Sequence, residues 1–196
     1  MVNANLRELL LQSLTHEKGG VLIYQTALEC VRNPDLRKEW TKYLAQTERH
    51  VDVLAQACLA LGLDPGEMTP GCAVVQHTGK SLVVAMKMAL AAEDRAAAEL
   101  VACECVVLAE TKDHADWELI GECARALDGP ARDVLRDAYG AVEDEEDEHL
   151  YHTKGWCREL WLKALGLPAE LPPPEEKRDV KSAMAAAAVE KERKRR

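Results

Sequence analysis

The chain has 196 residues, the length of one domain or of one domain with a tail. Hydrophobic residues make up 47% of it, supplied by Ala, Leu and Val with 4% aromatics and no Phe, a balance that favours helices. The net charge of −9 argues against non-specific nucleic-acid binding, and no apolar run approaches the ~20 residues that span a bilayer.

The opening residues lack the charged and apolar regions of a secretory signal, so a cytoplasmic location is expected. A first helix is predicted over residues 3–31, capped by Asn3 or Asn5 and ended by Asn33-Pro34. Its apolar stripe runs Leu6, Leu10, Leu14, Glu17, Gly20 or Val21, Tyr24, Leu28 and Val31, so one charge, Glu17, interrupts it. Gly19-Gly20 lowers helix propensity in mid-helix, which predicts a neighbour packed closely there.

A second helix is predicted over residues 35–61, stopped by Gly62. Thr47 and His50 interrupt its stripe of Leu36, Trp40, Tyr43, Leu54 and Leu61. The short connection makes the first two helices an antiparallel hairpin. Residues 62–71 are dense in breakers, and residues 72–92 read as a helical crossover that returns the chain for a second hairpin.

The third helix is expected over residues 95–127, with Glu110 and His114 breaking a stripe of Leu100, Cys103, Val107, Trp117 and Ala124. Asp128-Gly129-Pro130 is a turn that starts the fourth helix, expected to run unbroken over residues 130–166. Here the stripe of Leu135, Tyr139 and Val142 continues onto Glu146 and His149 before resuming at Trp156 and Leu160. Beyond Gly166, residues 167–176 read as a Pro-rich extended linker. Residues 181–196 are Ala-rich, then basic, and read as disordered or as a marginal helix on another surface, with the basic end solvated. The seven cysteines, odd in number and never spaced C-x-x-C, read as small buried hydrophobes in a reducing cytosol.

Each polar break falls near the middle of its helix. Antiparallel packing of near-equal helices keeps midpoints level, so Glu17, His50, Glu110, Glu146 and His149 are expected in one interior layer. A carboxylate among apolar neighbours needs a partner. Carboxylate oxygens with imidazole nitrogens suit iron, manganese or zinc, and Glu146-x-x-His149 is the pairing that di-metal helix bundles use. Blander alternatives stand beside this. The acids of residues 143–148 form a solvated face, Glu17 snorkels or is ion-paired, His50 is a satisfied core histidine, and Glu110, beside Lys112 and Asp113, belongs to a wet face.

Several stretches together resemble the ferritin-like superfamily, and within it the YciE/YciF-like family of bacterial stress-associated proteins. They are His16-Glu17-Lys18, Asn33-Pro34-Asp35-Leu36-Arg37, the run from Gln46 through His50 to Leu54, Leu61-Gly62-Leu63-Asp64-Pro65, Gly71-Cys72, Glu110 with Trp117, and the acids from Glu143 to Glu148. The resemblance covers about residues 5–165. It implies an all-α, ferritin-like antiparallel four-helix bundle with extra short helices, a homodimer, and a dinuclear iron or manganese centre. That superfamily uses four carboxylates and two histidines. Here Gln46 and Thr47 stand where the second helix needs its Glu, so the set is one carboxylate short, with His114 or Glu145 placed to compensate. On this reading the chemistry is that of peroxide, dioxygen or iron, with a small oxidant or a metal ion as ligand. The competing expectation is a metal-free helical module that dimerises or binds a partner protein, its polar layer surviving as a hydrogen-bond network.

Overall fold

The computed structural model describes residues 2–195. It is all-helical, and among the described residues there is no strand. Four long helices line a common interior: α1 (Ala4–Cys30), α2 (Pro34–Ala60), α4 (Arg95–Ala126) and α6 (Glu143–Ala164). Between α2 and α4 runs α3 (Pro70–Ala91), and α5 (Pro130–Gly140) precedes α6. Two short helices close the chain, α7 (Pro174–Lys177) and α8 (Ala183–Arg193). No helix among the described residues is long and apolar enough to cross a membrane.

Local chemistry starts these helices where the caps lie. The Asn3 side chain accepts from the Leu6 N–H, and Asn33 accepts from Asp35 and Leu36 with Pro34 as first helical residue. Thr69 and Asp94 cap α3 and α4 in the same way. Cross-helix pairs then fix direction. Gly20 faces Thr47 and Glu17 faces His50, so α1 and α2 run antiparallel. Trp161 meets Glu104, and His149 meets Glu110, so α4 and α6 do too. Because α2 and α4 both oppose α1, a crossover must return the chain between them, and α3 does this while packing on α1 and α4. The mid-helix glycines have a visible use. A Cβ on Gly20 would lie 3.2 Å from Thr47 Cγ2, and one on Gly79 of α3 would lie 3.9 Å from Gly19 Cα.

The interior is two apolar clusters rather than one. Tyr24, Trp40, Tyr43, Cys103, Val106 and Trp156 belong to the first. Leu10, Leu14, Leu54, Trp117, Ile120 and Val142 belong to the second. Along α1, α2 and α4 the boundary between them is the polar break, and on α6 the first cluster resumes beyond it at Trp156. All seven cysteines are free, five of them buried, and burial pushes the Cys103 thiol well up, which keeps it inert.

Two expectations need correction. The segment 130–166 is not one helix: it breaks at Ala141 and Val142, where the N–H groups reach back three residues to Ala138 and Tyr139. Gly140 weakens the helix there, and restarting at Glu143 puts Glu143, Asp144, Glu145 and Glu146 in a first turn, against the positive end of the α6 dipole. The carboxyl-terminal segment is not a solvated tail either, and residues 174–177 within its linker are helical. Arg193 donates to both oxygens of Glu159 at 2.5 and 2.6 Å, and Glu159 is fully buried. Val180 and Val189 bury against Leu150 and Tyr151 of α6. Glu175 accepts a two-pronged bond from Arg158 at 2.6 and 2.8 Å and sits over Gly155, where a Cβ would come within 2.6 Å of it.

This strap has a pH-sensitive contact. Burial, then the Glu39 carboxylate, pushes Glu176 from 4.5 up to about 7, with Asp35 adding to the effect and Trp156 and Lys38 opposing it. The docked strap therefore holds a proton between those values that a released strap gives up. Its contribution is complete below pH 4.5 and is lost as the pH rises through about 7. Arg193 holds Glu159 low and Lys42 holds Glu148 low despite burial, so those contacts weaken only at acid pH. Proteolysis within residues 167–193 is expected to be faster at pH 8 than at pH 5.5, relative to a Glu176→Gln variant that protects equally at both. Equal ratios at the two pH values would remove Glu176 from the account.

Candidate metal centre

Between the two apolar clusters lies a layer of ionisable side chains. Glu17, His50, Glu146 and His149 are 1% exposed or less, Glu110 is 3% exposed and Asp113 4%. Each is delivered by the helix periodicity that carries its neighbours into the core. The five residues predicted for this layer do meet there, one from α1, one from α2, one from α4 and two from α6.

The two imidazoles are oriented by what holds their outer edges. His50 Nε2 donates to Glu145 Oε2 at 2.9 Å, and a carboxylate only accepts, so the Nδ1 lone pair points inward. His149 Nε2 lies 3.1 Å from Gln46 Oε1, which accepts from it, while the Gln46 amide also hydrogen-bonds Glu145. Both rings thus present Nδ1 to the interior. His50 Nδ1 is 2.8 Å from Glu146 Oε1 and 3.6 Å from Glu17 Oε1. His149 Nδ1 is 3.6 Å from Glu146 Oε1 and 3.6 Å from Glu110 Oε2. None of these approaches is aligned as a hydrogen bond, the 2.8 Å contact included: Nδ1 of both rings, both Glu146 oxygens, Glu17 Oε2, Glu110 Oε2 and Asp113 Oδ1 are buried without a hydrogen-bond partner. Buried donors and acceptors are ordinarily paired, and these orphans converge on one spot that could take a cation.

Electrostatics point the same way. Burial drives the carboxyl groups of Glu17, Glu146 and Asp113 well above the usual range, with Asp113 next in weight for Glu17, Glu17 for Glu146 and Glu146 for Asp113. Glu110 differs: burial raises it, but the His149 imidazole and the Tyr24 phenol outweigh burial and leave it low. Burial, with the His149 charge next, pulls His50 down to about 4, which keeps it neutral with a free lone pair at neutral pH. Glu17 Oε1 is held by Trp117 Nε1 at 2.8 Å, which fixes the carboxylate and leaves Oε2 facing the layer.

Neither of the two additional candidates lies in the layer. His114 is half-buried at the edge, its Nδ1 3.2 Å from Asp147. Glu145 is half-buried and bonds His50 from outside, together with Arg49. The residue that sequence reasoning passed over is Asp113. It follows Glu110 by three positions on α4 and adds the carboxylate that α2 lacks. Thr47 occupies that α2 position, buried, with its methyl 3.2 Å from where a Cβ on Gly20 would lie.

No family model, curated protein or solved structure matches the chain. Two overlapping buried groups, one of His50, Glu146 and His149 and one of Glu17, Asp113 and Glu146, each with donor atoms within 4.8 Å of one another, could hold metal ions, and the Glu110 carboxylate lies 3.6 Å from His149 beside the first. A cavity of about 40 Å³ lined by His114, Trp117, Tyr139, Glu143, Glu146 and Asp147 reaches this layer where α5 gives way to α6.

Proposed function

We propose that this chain is a ferritin-like four-helix bundle whose interior layer binds two divalent ions, iron or manganese. The observation that carries the reading is the set of inward-facing, unpartnered donors: two Nδ1 atoms oriented by Glu145 and Gln46, among four buried carboxylates. Four carboxylates balance two divalent cations, which removes the cost of burying like charges together. Bound there, the ions supply redox chemistry toward peroxide, dioxygen or ferrous iron. The chain's own residues orient the ligands, exclude bulk water through Trp117, Tyr24 and Tyr43, and admit small species through the acidic cleft at Glu143 and Asp147. The likeness in sequence to the YciE/YciF-like family supports an oxidative-stress role.

Metal content tests this. Protein purified without chelator is expected to carry iron or manganese at one to two ions per chain, lost in a Glu146→Ala/His149→Ala double variant. Metal-free protein whose melting temperature ignores added Fe(II) or Mn(II) would instead support a metal-free interaction module.

A further inference from the structure

The two groups of donors in the layer differ in chemistry. One is His50, Glu146 and His149, with two nitrogens and a carboxylate, and Glu110 Oε2 lies 3.6 Å from its His149 Nδ1. The other is Glu17, Asp113 and Glu146, with oxygens alone. The imidazoles stand on the same side: their rings stack at 5.6 Å and 24°, and both Nδ1 atoms converge on Glu146 Oε1 at 2.8 and 3.6 Å. Glu146 belongs to both groups. An acidic group alone does not define a cation site. Here Asp113 Oδ1, Glu17 Oε2 and Glu146 Oε2 are each buried without a partner. The pinning of Glu17 Oε1 by Trp117 leaves only that inward oxygen free.

Resting on the two-ion reading above, we infer that the layer is an unequal pair: an imidazole-rich pocket of His50, His149, Glu110 and Glu146 beside an all-oxygen pocket of Glu17, Asp113 and Glu146. The two pockets select unlike cations. Imidazole nitrogen raises affinity for the later divalent metals, zinc, cobalt and iron, over manganese. An all-carboxylate pocket lacks that gain and suits a hard cation such as Mn²⁺, which gives up little when it has no nitrogen ligand. Occupancy is therefore stepwise. The nitrogen pocket fills first and tightly. The oxygen pocket fills second, because Glu146 already shares its charge with the first ion. Asp113 is the residue that makes the second pocket, since without it Glu17 and Glu146 are two ligands only.

The test loads full-length apoprotein with Zn²⁺ alone, Mn²⁺ alone and both, and counts each metal after desalting, with the Mn²⁺ signal followed by electron paramagnetic resonance. The wild type is expected to keep one Zn²⁺ under conditions that strip a second, and to take one Mn²⁺ beside it. Asp113→Asn is expected to lower Mn²⁺ affinity by at least about 10–100-fold while changing the tight Zn²⁺ equivalent less than about threefold. Glu17→Gln repeats the outcome from another helix, and circular dichroism confirms that both variants fold. Loss of both equivalents together in Asp113→Asn, or two equivalents of one metal with equal affinity, would overturn the unequal pair and leave a shared centre standing. A wild type that retains no divalent ion would overturn the two-ion reading itself, and this inference with it.

Discussion

A Glu146→Gln variant is expected to lose both metal ions and yet, when metal-free, to melt above the wild type. Glu146 is 1% exposed and is the member common to both donor groups, so no ion keeps a full ligand set without it. In the metal-free state the same carboxyl group faces Glu17 and Asp113 across a buried gap, with both oxygens unpartnered. Glutamine keeps the shape and is neutral without the proton that burial and the Glu17 carboxylate force onto the Glu146 carboxyl group when no metal is present. Relief of that kind in a buried ionic cluster is worth about 1–4 kcal/mol. With metal present the order reverses. An ion at a hundred times its dissociation constant stabilises the wild type by about 2.7 kcal/mol and the variant hardly at all. Thermal melts of both proteins, with chelator and with Mn(II) or Fe(II), read this crossing directly. A variant that melts below the wild type under both conditions would mean that Glu146 holds the fold through its charge, and the layer would be structural.

The second large effect belongs to Trp117, which joins the core to the layer. Its side chain is 1% exposed, packs in the cluster of Leu10, Leu14 and Leu54, and reaches Glu17 with its indole N–H at 2.8 Å. It also stands edge-on to His50 at 6.3 Å. Trp117→Ala is expected to cost about 3–5 kcal/mol through the cavity it opens. Trp117→Phe is the more informative change. It keeps most of the volume but removes the donor that pins Glu17, so stability falls by about 1–2 kcal/mol. Metal affinity in the oxygen pocket drops on the order of 10–100-fold, as for other groups that orient a ligand. If Trp117→Phe shifts stability and leaves metal affinity alone, Trp117 is a packing residue and nothing more.

How far the sequence led is clearest at Glu110. The spacing three-then-four and the spacing four-then-three both connect Glu110 to Trp117. The first passes through Asp113 and the second through His114, and in sequence the two are equally good. The stripe read from the sequence takes the second path, through His114. Packing chose Asp113: α6 approaches α4 so that His114 meets Asp147 at the edge, while Asp113 turns toward Glu17 and Glu146. Successive residues on a helix stand about 100° apart, so a stripe specifies a face but leaves a pair of neighbours at its border undecided. The same applies to Glu145, which a four-residue step from His149 makes a candidate ligand, and which instead holds His50 from outside.

At the carboxyl terminus the limits were of another kind. An 11-residue helix has little stability by itself, so composition could say only that α8 was marginal. Its order comes from Glu159, on α6 and 34 positions earlier, which is buried and needs the Arg193 guanidinium. No local pattern announces that pairing.

What the sequence by itself determined is the all-helical class and the depth at which each long helix turns polar, because both are written in residues within a few positions of one another. Tertiary structure decided the rotation of each helix about its axis, the break before Glu143, the seating of the strap, and hence the ligand set that closes the centre. These depend on contacts between residues from 14 to 95 positions apart, such as Gly20 with Thr47, His50 with Glu145 and Arg178 with Glu192, and the energy of such contacts exists only once the helices have packed.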